Sequence, residues 1–160
     1  MTEKATYKSP LGNIEVECDG AAVIALRFVA ASSKIGESGS ATMKETFRWL
    51  DTYFASRNPE RVPPLRPQGT PFQQRVWRKL LEIPYGCTAT YGDIARRVGC
   101  RSAQAVGQAI GRNPIAIIIP CHRVVGADGS LTGYAYGIET KEKLLQLEQA
   151  KSKWPNNELT

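Results

Sequence analysis

The segment "SRNPERVPPLRPQG", residues 56–69, carries four of the ten prolines in the chain. Proline fixes φ and lacks a backbone donor, so neither a helix nor a central strand can run through such a segment. It reads as a linker or extended connection, and the runs on either side must fold as separate blocks.

The block before it is β-rich. "KATYKSP", "NIEVEC" and "VIALRFV" alternate or run apolar, with "SPLGN" and "CDGA" supplying turns. "SSKIGESGSA" reads as a polar loop, and Met43, Phe47, Leu50 and Phe54 then recur at helical spacing. After the prolines the pattern is helical. "TPFQQRVWRKLLEIP" opens with Thr70 as N-cap, Pro71 at the first helical position and Gln73 completing a capping box. Phe72, Val76, Leu80 and Ile83 form its apolar stripe. "TYGDIARRVG" and "SAQAVGQAIGR" follow as two short helices across the tight "GCR", the pattern of a helix-turn-helix. In the second of these, Ala103, Ala105, Gly107 and Ala109 are small enough to let a helix backbone approach a partner helix or a DNA groove.

Charge supports the groove. Arg75 to Arg112 contains seven basic residues against Glu82 and Asp93, whereas the chain up to Arg61 is balanced at eight of each sign. A localised basic region attracts phosphates through counterion release. The content of 42% hydrophobic and 22% charged residues is that of a soluble globular protein. "MTEKATYKSP" lacks the apolar centre of a signal peptide, so a cytoplasmic location without membrane contact is expected. Four cysteines, Cys18, Cys87, Cys100 and Cys121, form no C-x-x-C pair and are expected to be reduced. With one histidine in the chain, a zinc site is not expected.

That histidine, His122, follows Cys121 at the end of an apolar run, Ile115 to Ile119, which reads as a strand. A thiol becomes a nucleophile when its proton can be removed, and an imidazole and a guanidinium (Arg123) beside it favour the thiolate. Adjacent side chains on a strand point to opposite faces, so a direct Cys121–His122 bond needs a turn or a bridging water. In "TKEKLLQLEQA", Lys141, Leu144, Leu145 and Glu148 share one helical stripe. A carboxylate on a core-facing stripe needs a partner, and the ring N–H of His122 is a candidate.

"AVGQAIGRNPIAIIIPCHRVVG" followed by "GYAYG" resembles the O6-alkylguanine-DNA alkyltransferases, or methylated-DNA–protein-cysteine methyltransferases. The likeness is strongest from Thr70 to Glu148. It implies an α+β fold: a small N-terminal α/β domain with a short antiparallel sheet over 1–62, and a linker at 63–69. A C-terminal domain with a winged helix-turn-helix-like motif follows over 70–152. Apart from the resemblance, the final "KSKWPNNELT" is polar and reads as frayed, with a disordered tail expected at 153–160, although Trp154 is able to dock. The resemblance implies that Cys121 accepts the alkyl group, that His122 acts as a water-mediated base and that Glu148 holds His122. Asn113 would brace the turn into the site, and Tyr91 would protonate or hydrogen-bond the leaving guanine. Tyr134, Ala135, Tyr136, Val124 and Gly107 would line the pocket for the flipped base. Thr90, Tyr91, Arg101, Ser102, Ala103, Gln104, Ala105, Gly107, Arg112 and Arg123 would meet double-stranded DNA through its minor groove. No cofactor is implied, and the protein would act as a monomer, with cooperative assembly on DNA and O4-alkylthymine as substrate left open.

Three positions depart from the family pattern. Gln104 stands where arginine is usual, keeping a hydrogen bond but losing the charge and the planar stack that hold the orphaned cytosine, so slower base flipping is expected. Ala135 stands where serine is frequent, and Tyr136 where glycine is usual, which narrows the pocket or forms a lid. Two other readings remain: a non-catalytic sensor of alkylated DNA, and a hydrolase with a Cys-His-Glu triad. The hydrolase gives no account of the basic helix-turn-helix.

Overall fold

The three apolar runs before the prolines form a meander. β1 (Glu3–Ser9), β2 (Gly12–Cys18) and β3 (Val23–Val29) pair antiparallel in sequence order. β2 is central, and its alternation puts Ile14, Val16 and Cys18 on one buried face, as a half-covered sheet requires. On its other face Glu15 and Glu17 both pair with Arg27 of β3. α1 (Ala41–Phe54) starts at Ser40, whose hydroxyl accepts from Met43 N. It covers the sheet with Met43, Phe47 and Leu50, all buried, and Phe47 meets the edge of Tyr7 at 5.3 Å between ring centroids.

The computed structural model describes residues 2–30 and 39–155. Most of the loop expected at 32–41, and residues 156–160 of the expected tail, lie outside these.

The described chain divides into two compact units, 1–68 with 114–116, and 69–113 with 117–160. The first thus extends past the expected boundary at 62. The proline segment is not a free linker: Val23 N donates to Pro64 O and Arg66 N to Val23 O, both at 2.8 Å, so it runs beside β3 as an edge. Prolines fit there because an edge leaves every second donor unused.

The second unit holds α2 (Pro71–Leu80), β4 (Cys87–Thr90), α3 (Tyr91–Val98), α4 (Ala103–Gly111), β5 (Val124–Val125), α5 (Ile138–Leu147) and β6 (Ser152–Lys153). α2 begins with the capping box of Thr70 and Gln73 that the sequence predicts. Its buried stripe is Val76, Leu80 and the helix-following Ile83, with Trp77 in place of the half-buried Phe72. The Trp77 indole N–H donates to Ala109 O at 2.9 Å, tying α2 to α4. α3 ends at Val98 and is capped by Gly99, whose φ of 73° only glycine adopts cheaply, and α4 starts at Ala103. A small parallel sheet, β5–β4–β6, has no counterpart in the sequence reading, because strands of two to four residues carry no periodicity. Lys153 is paired within it and Trp154 is 4% exposed, so order continues past the point where a disordered tail is expected.

Candidate active site

The apolar run before Cys121 is not a strand. Residues 116–118 form turns, and Ile117 has φ of 70°, a conformation that costs a β-branched residue of the order of 1–3 kcal/mol. The turn is held from both sides: Asn113 Nδ2 donates to Ile119 O at 2.8 Å, and Cys121 N donates to the same carbonyl at 2.8 Å. Cys121–Arg123 then forms a single 3-10 turn. Successive side chains in such a turn diverge by about 120°. Thiol, imidazole and guanidinium therefore leave one short stretch of backbone in three directions, which a strand could not arrange.

The thiol is buried, and Asn113 Nδ2 lies 3.2 Å from Cys121 Sγ. Burial pushes its pKa up; the Asn113 hydrogen bond and the Lys141 ammonium work against that. Arg123, whose charge is expected to favour the thiolate, is instead turned to Glu148.

His122 and Glu148 are both fully buried side chains, with Nε2 to Oε2 at 2.6 Å. Burial pushes the imidazole pKa down despite the neighbouring carboxylate, so the ring is neutral at pH 7. A neutral ring facing a carboxylate places its proton on Nε2 and its lone pair on Nδ1. Burial raises the Glu148 pKa, but His122 and Arg123 outweigh it and hold the group at about 2. Arg123 Nε donates to Glu148 Oε1 at 2.8 Å and its Nη1 to Ile83 O at 2.7 Å. Arg123 is thus an internal counter-charge, not the DNA contact expected of it. Gly86 N adds a longer bond to Oε1 at 3.4 Å.

Lys141 and Tyr91 meet at one backbone oxygen. Lys141 Nζ donates to Thr132 O at 2.9 Å and Tyr91 Oη donates to it at 3.2 Å. Lys141 is 0% exposed, and burial lowers its pKa to about 8. This residue was missed as functional, although it shares the stripe that singled out Glu148 and a buried lysine is as informative as a buried glutamate.

An open groove of about 640 Å³ is lined by Tyr91, Gln104, Gly107, Ile110, Tyr134 and Ala135, among others. It brings together residues expected to line the pocket and residues expected to meet DNA. Tyr136 packs edge-on against Tyr134, 5.6 Å between centroids, and the Tyr134 hydroxyl is buried with no hydrogen-bond partner among the described residues. Val124, expected in the pocket, is instead fully buried in β5. Among the expected DNA contacts, Arg101, Ser102, Ala103, Gln104 and Arg112 are exposed, and Ala105 is half-buried. Thr90 and Ser102 spend their hydroxyls as N-caps of α3 and α4. Ala109, read as part of the small-residue surface, is buried under Trp77. Not all of the basic region is free: Arg96 pairs with Asp93, and Arg75 donates to Val98 O at 3.2 Å. Among the described residues, no cluster of three or more His, Cys, Asp or Glu is placed to hold a metal ion, and no helix is long and apolar enough to cross a membrane.

Residues 3–67 match the ribonuclease-like domain of 6-O-methylguanine DNA methyltransferase, and residues 71–150 match its DNA binding domain. The chain belongs to this methyltransferase family. A methylated-DNA–protein-cysteine methyltransferase of Methanosarcina acetivorans is 46% identical over 150 residues, 90% of this chain and 96% of the relative. One from Mycobacterium bovis is 42% identical over 157 residues, 95% of each chain. The crystal structure of the Mycobacterium tuberculosis O6-methylguanine methyltransferase superposes with a TM-score of 0.83 at 39% identity, covering 100% of both chains. A structure of the M. tuberculosis protein in complex with DNA gives 0.83 at 42% identity, covering 98% of this chain and 97% of that one. The α+β architecture expected from the resemblance is therefore that of the methyltransferase family.

Proposed function

We propose that this protein repairs DNA directly, moving the alkyl group of O6-alkylguanine onto its own Cys121, once per molecule. The observation that carries this reading is the 3-10 turn that sets a buried thiol, braced by Asn113, next to a neutral imidazole anchored on Glu148.

The target atom lies inside the base stack, so the nucleotide must leave the duplex to reach the thiol. α3 and α4 present the DNA surface, with Arg101 and Arg112 as phosphate contacts and Ala103 and Gly107 permitting close approach in the minor groove. Gln104 would fill the place left by the flipped base. In the pocket, the buried Tyr134 hydroxyl gains a polar partner from the base, and the Ala135 backbone N–H would donate to its O6.

Chemistry then follows from the proton inventory. The Cys121 proton passes through a bridging water to the lone pair of His122 Nδ1, and Glu148 stabilises the imidazolium that forms. Sγ attacks the alkyl carbon as the carbon–O6 bond breaks, and the bonding pair moves into the guanine ring. The Tyr91 hydroxyl turns from Thr132 O to the ring and neutralises the charge developing there. The product is a thioether, which has no route back to the thiol, so each molecule acts once. The reading is of a cytoplasmic monomer that needs no cofactor.

The test is restoration of guanine in a duplex whose restriction site is blocked by one O6-methylguanine. Cleavage should return in proportion to added protein and should not return with Cys121→Ser. A sensor would bind the lesion and leave the site blocked.

A further inference from the structure

Beyond Glu148 the chain does something that the chemistry above does not use. It reverses at Gln149, a non-glycine residue with φ of 53°, and Ala150 N closes back on Leu145 O at 3.0 Å. It then runs parallel to β4, where Trp154 N donates to Thr88 O at 2.8 Å. The Trp154 indole is buried and carries the Arg97 guanidinium 3.4 Å above its ring, and Arg97 Nη2 donates to Pro155 O at 2.5 Å. Arg97 sits in the last turn of α3, where a cation also suits the helix dipole.

The two gripped elements are consecutive. β4 ends at Thr90, Thr90 caps α3, and the first residue of α3 is Tyr91. The tail therefore holds the β4–α3 pair at both ends, Thr88 on the strand and Arg97 on the helix, with Tyr91 at the joint. α3 is short, eight residues, and such a helix owes its position to packing more than to its own propensity. Its fully buried side chains are Ile94 and Ala95, near its middle, and the stacked Arg–Trp pair adds an anchor in its last turn.

We propose that Trp154 is a positioning residue for alkyl transfer, acting through Arg97 and β4 to hold the Tyr91 hydroxyl against the leaving guanine. The inference rests on the role given to Tyr91 above. It makes the segment after Glu148 part of the working site rather than a trailing end, and it removes Arg97 from the residues offered to DNA.

A double-mutant cycle separates positioning from plain stability. In single-turnover reactions at saturating O6-methylguanine duplex, Trp154→Ala should lower the first-order transfer constant about five- to tenfold, the scale of a desolvated cation–π contact. The DNA concentration giving half the maximal rate should change less than about twofold, since no DNA contact is removed. Trp154→Phe, which keeps an aromatic face, should recover most of the rate. In a Tyr91→Phe background, Trp154→Ala should cost little more. Equal losses in both backgrounds, or no loss in either, would overturn the proposal. Amide exchange gives an activity-independent reading: Trp154→Ala should speed exchange over residues 87–98 and leave 103–111 unchanged, and uniform acceleration of both would also overturn it. Failure of the unsubstituted protein to transfer methyl at all would instead count against the alkyl-transfer reading, leaving the exchange pattern to decide whether the tail holds α3.

Discussion

Asn113 Nδ2 bridges Cys121 Sγ at 3.2 Å and Ile119 O at 2.8 Å, so one amide both braces the turn and touches the nucleophile. The brace is needed because Ile117 is held at positive φ just upstream. The contact with sulfur is one of the few influences favouring the thiolate in a site where burial opposes it.

Replacing Asn113 with Ala removes both bonds at once. The expected stability loss is about 0.5–1.5 kcal/mol, the net worth of a hydrogen bond whose acceptor, Ile119 O, keeps its bond from Cys121 N, read by urea unfolding. The pH midpoint for Cys121 reacting with iodoacetamide should move to higher pH. A midpoint that does not move would mean that the amide acts on the backbone alone.

Glu148→Gln should be more damaging, because it strands Arg123 as a buried charge, at a cost of about 3–5 kcal/mol. The same carboxylate sets an acid limb. Its folded pKa is depressed from the ordinary 4.5 to about 2, so its contribution is complete above 4.5 and disappears as pH falls toward 2. His122 adds to this, because its folded pKa is also depressed: stability begins to fall below the ordinary 6.5 as unfolding allows the ring to charge. Unfolding midpoints measured from pH 8 down to pH 3 should decline in the unsubstituted protein, and the part of that decline below 4.5 should be smaller in Glu148→Gln.

Lys141 offers a positive charge to the thiolate from a fully buried position. Lys141→Met keeps the stem and removes the charge. Iodoacetamide reactivity of Cys121 at pH 7 should fall, with the midpoint displaced to higher pH, while Glu148 and His122 are untouched. Unchanged reactivity would assign Lys141 to loop anchorage at Thr132 alone.

Tyr136 packs on Tyr134 at the groove that Tyr134 lines. A methyl adduct needs little room beside the sulfur and a benzyl adduct needs a ring's width. Tyr136→Gly should raise the benzyl rate relative to the methyl rate by about tenfold or more, in competition between the two duplexes, as expected when a filled volume is opened to a ring. Equal selectivity before and after would show that Tyr136 swings clear.

Much of this was legible in the sequence where a pattern has a period or a chemical necessity. The meander shows in alternation, α2 in its capping box, α3 and α4 in the glycine between them, and Glu148 in its place on an apolar stripe. The Ile115–Ile119 run misleads because apolar composition says "buried" without saying "strand", and a buried turn with Ile117 at positive φ has no local signature. Arg123 misleads for a related reason: a guanidinium beside a nucleophile suggests phosphate or thiolate, while its actual partner, Glu148, lies 25 positions away in sequence. The parallel sheet and the docking of Trp154 depend wholly on long-range pairing. No window of neighbouring residues contains them.

The most direct measurement is the intact mass of the protein after mixing with a duplex carrying a single O6-methylguanine. The account predicts a gain of one methylene unit, mapping to the peptide that contains Cys121 and saturating at one per molecule however much duplex is added. An unchanged mass with the lesion still bound, or catalytic release of product by an unmodified protein, would contradict it.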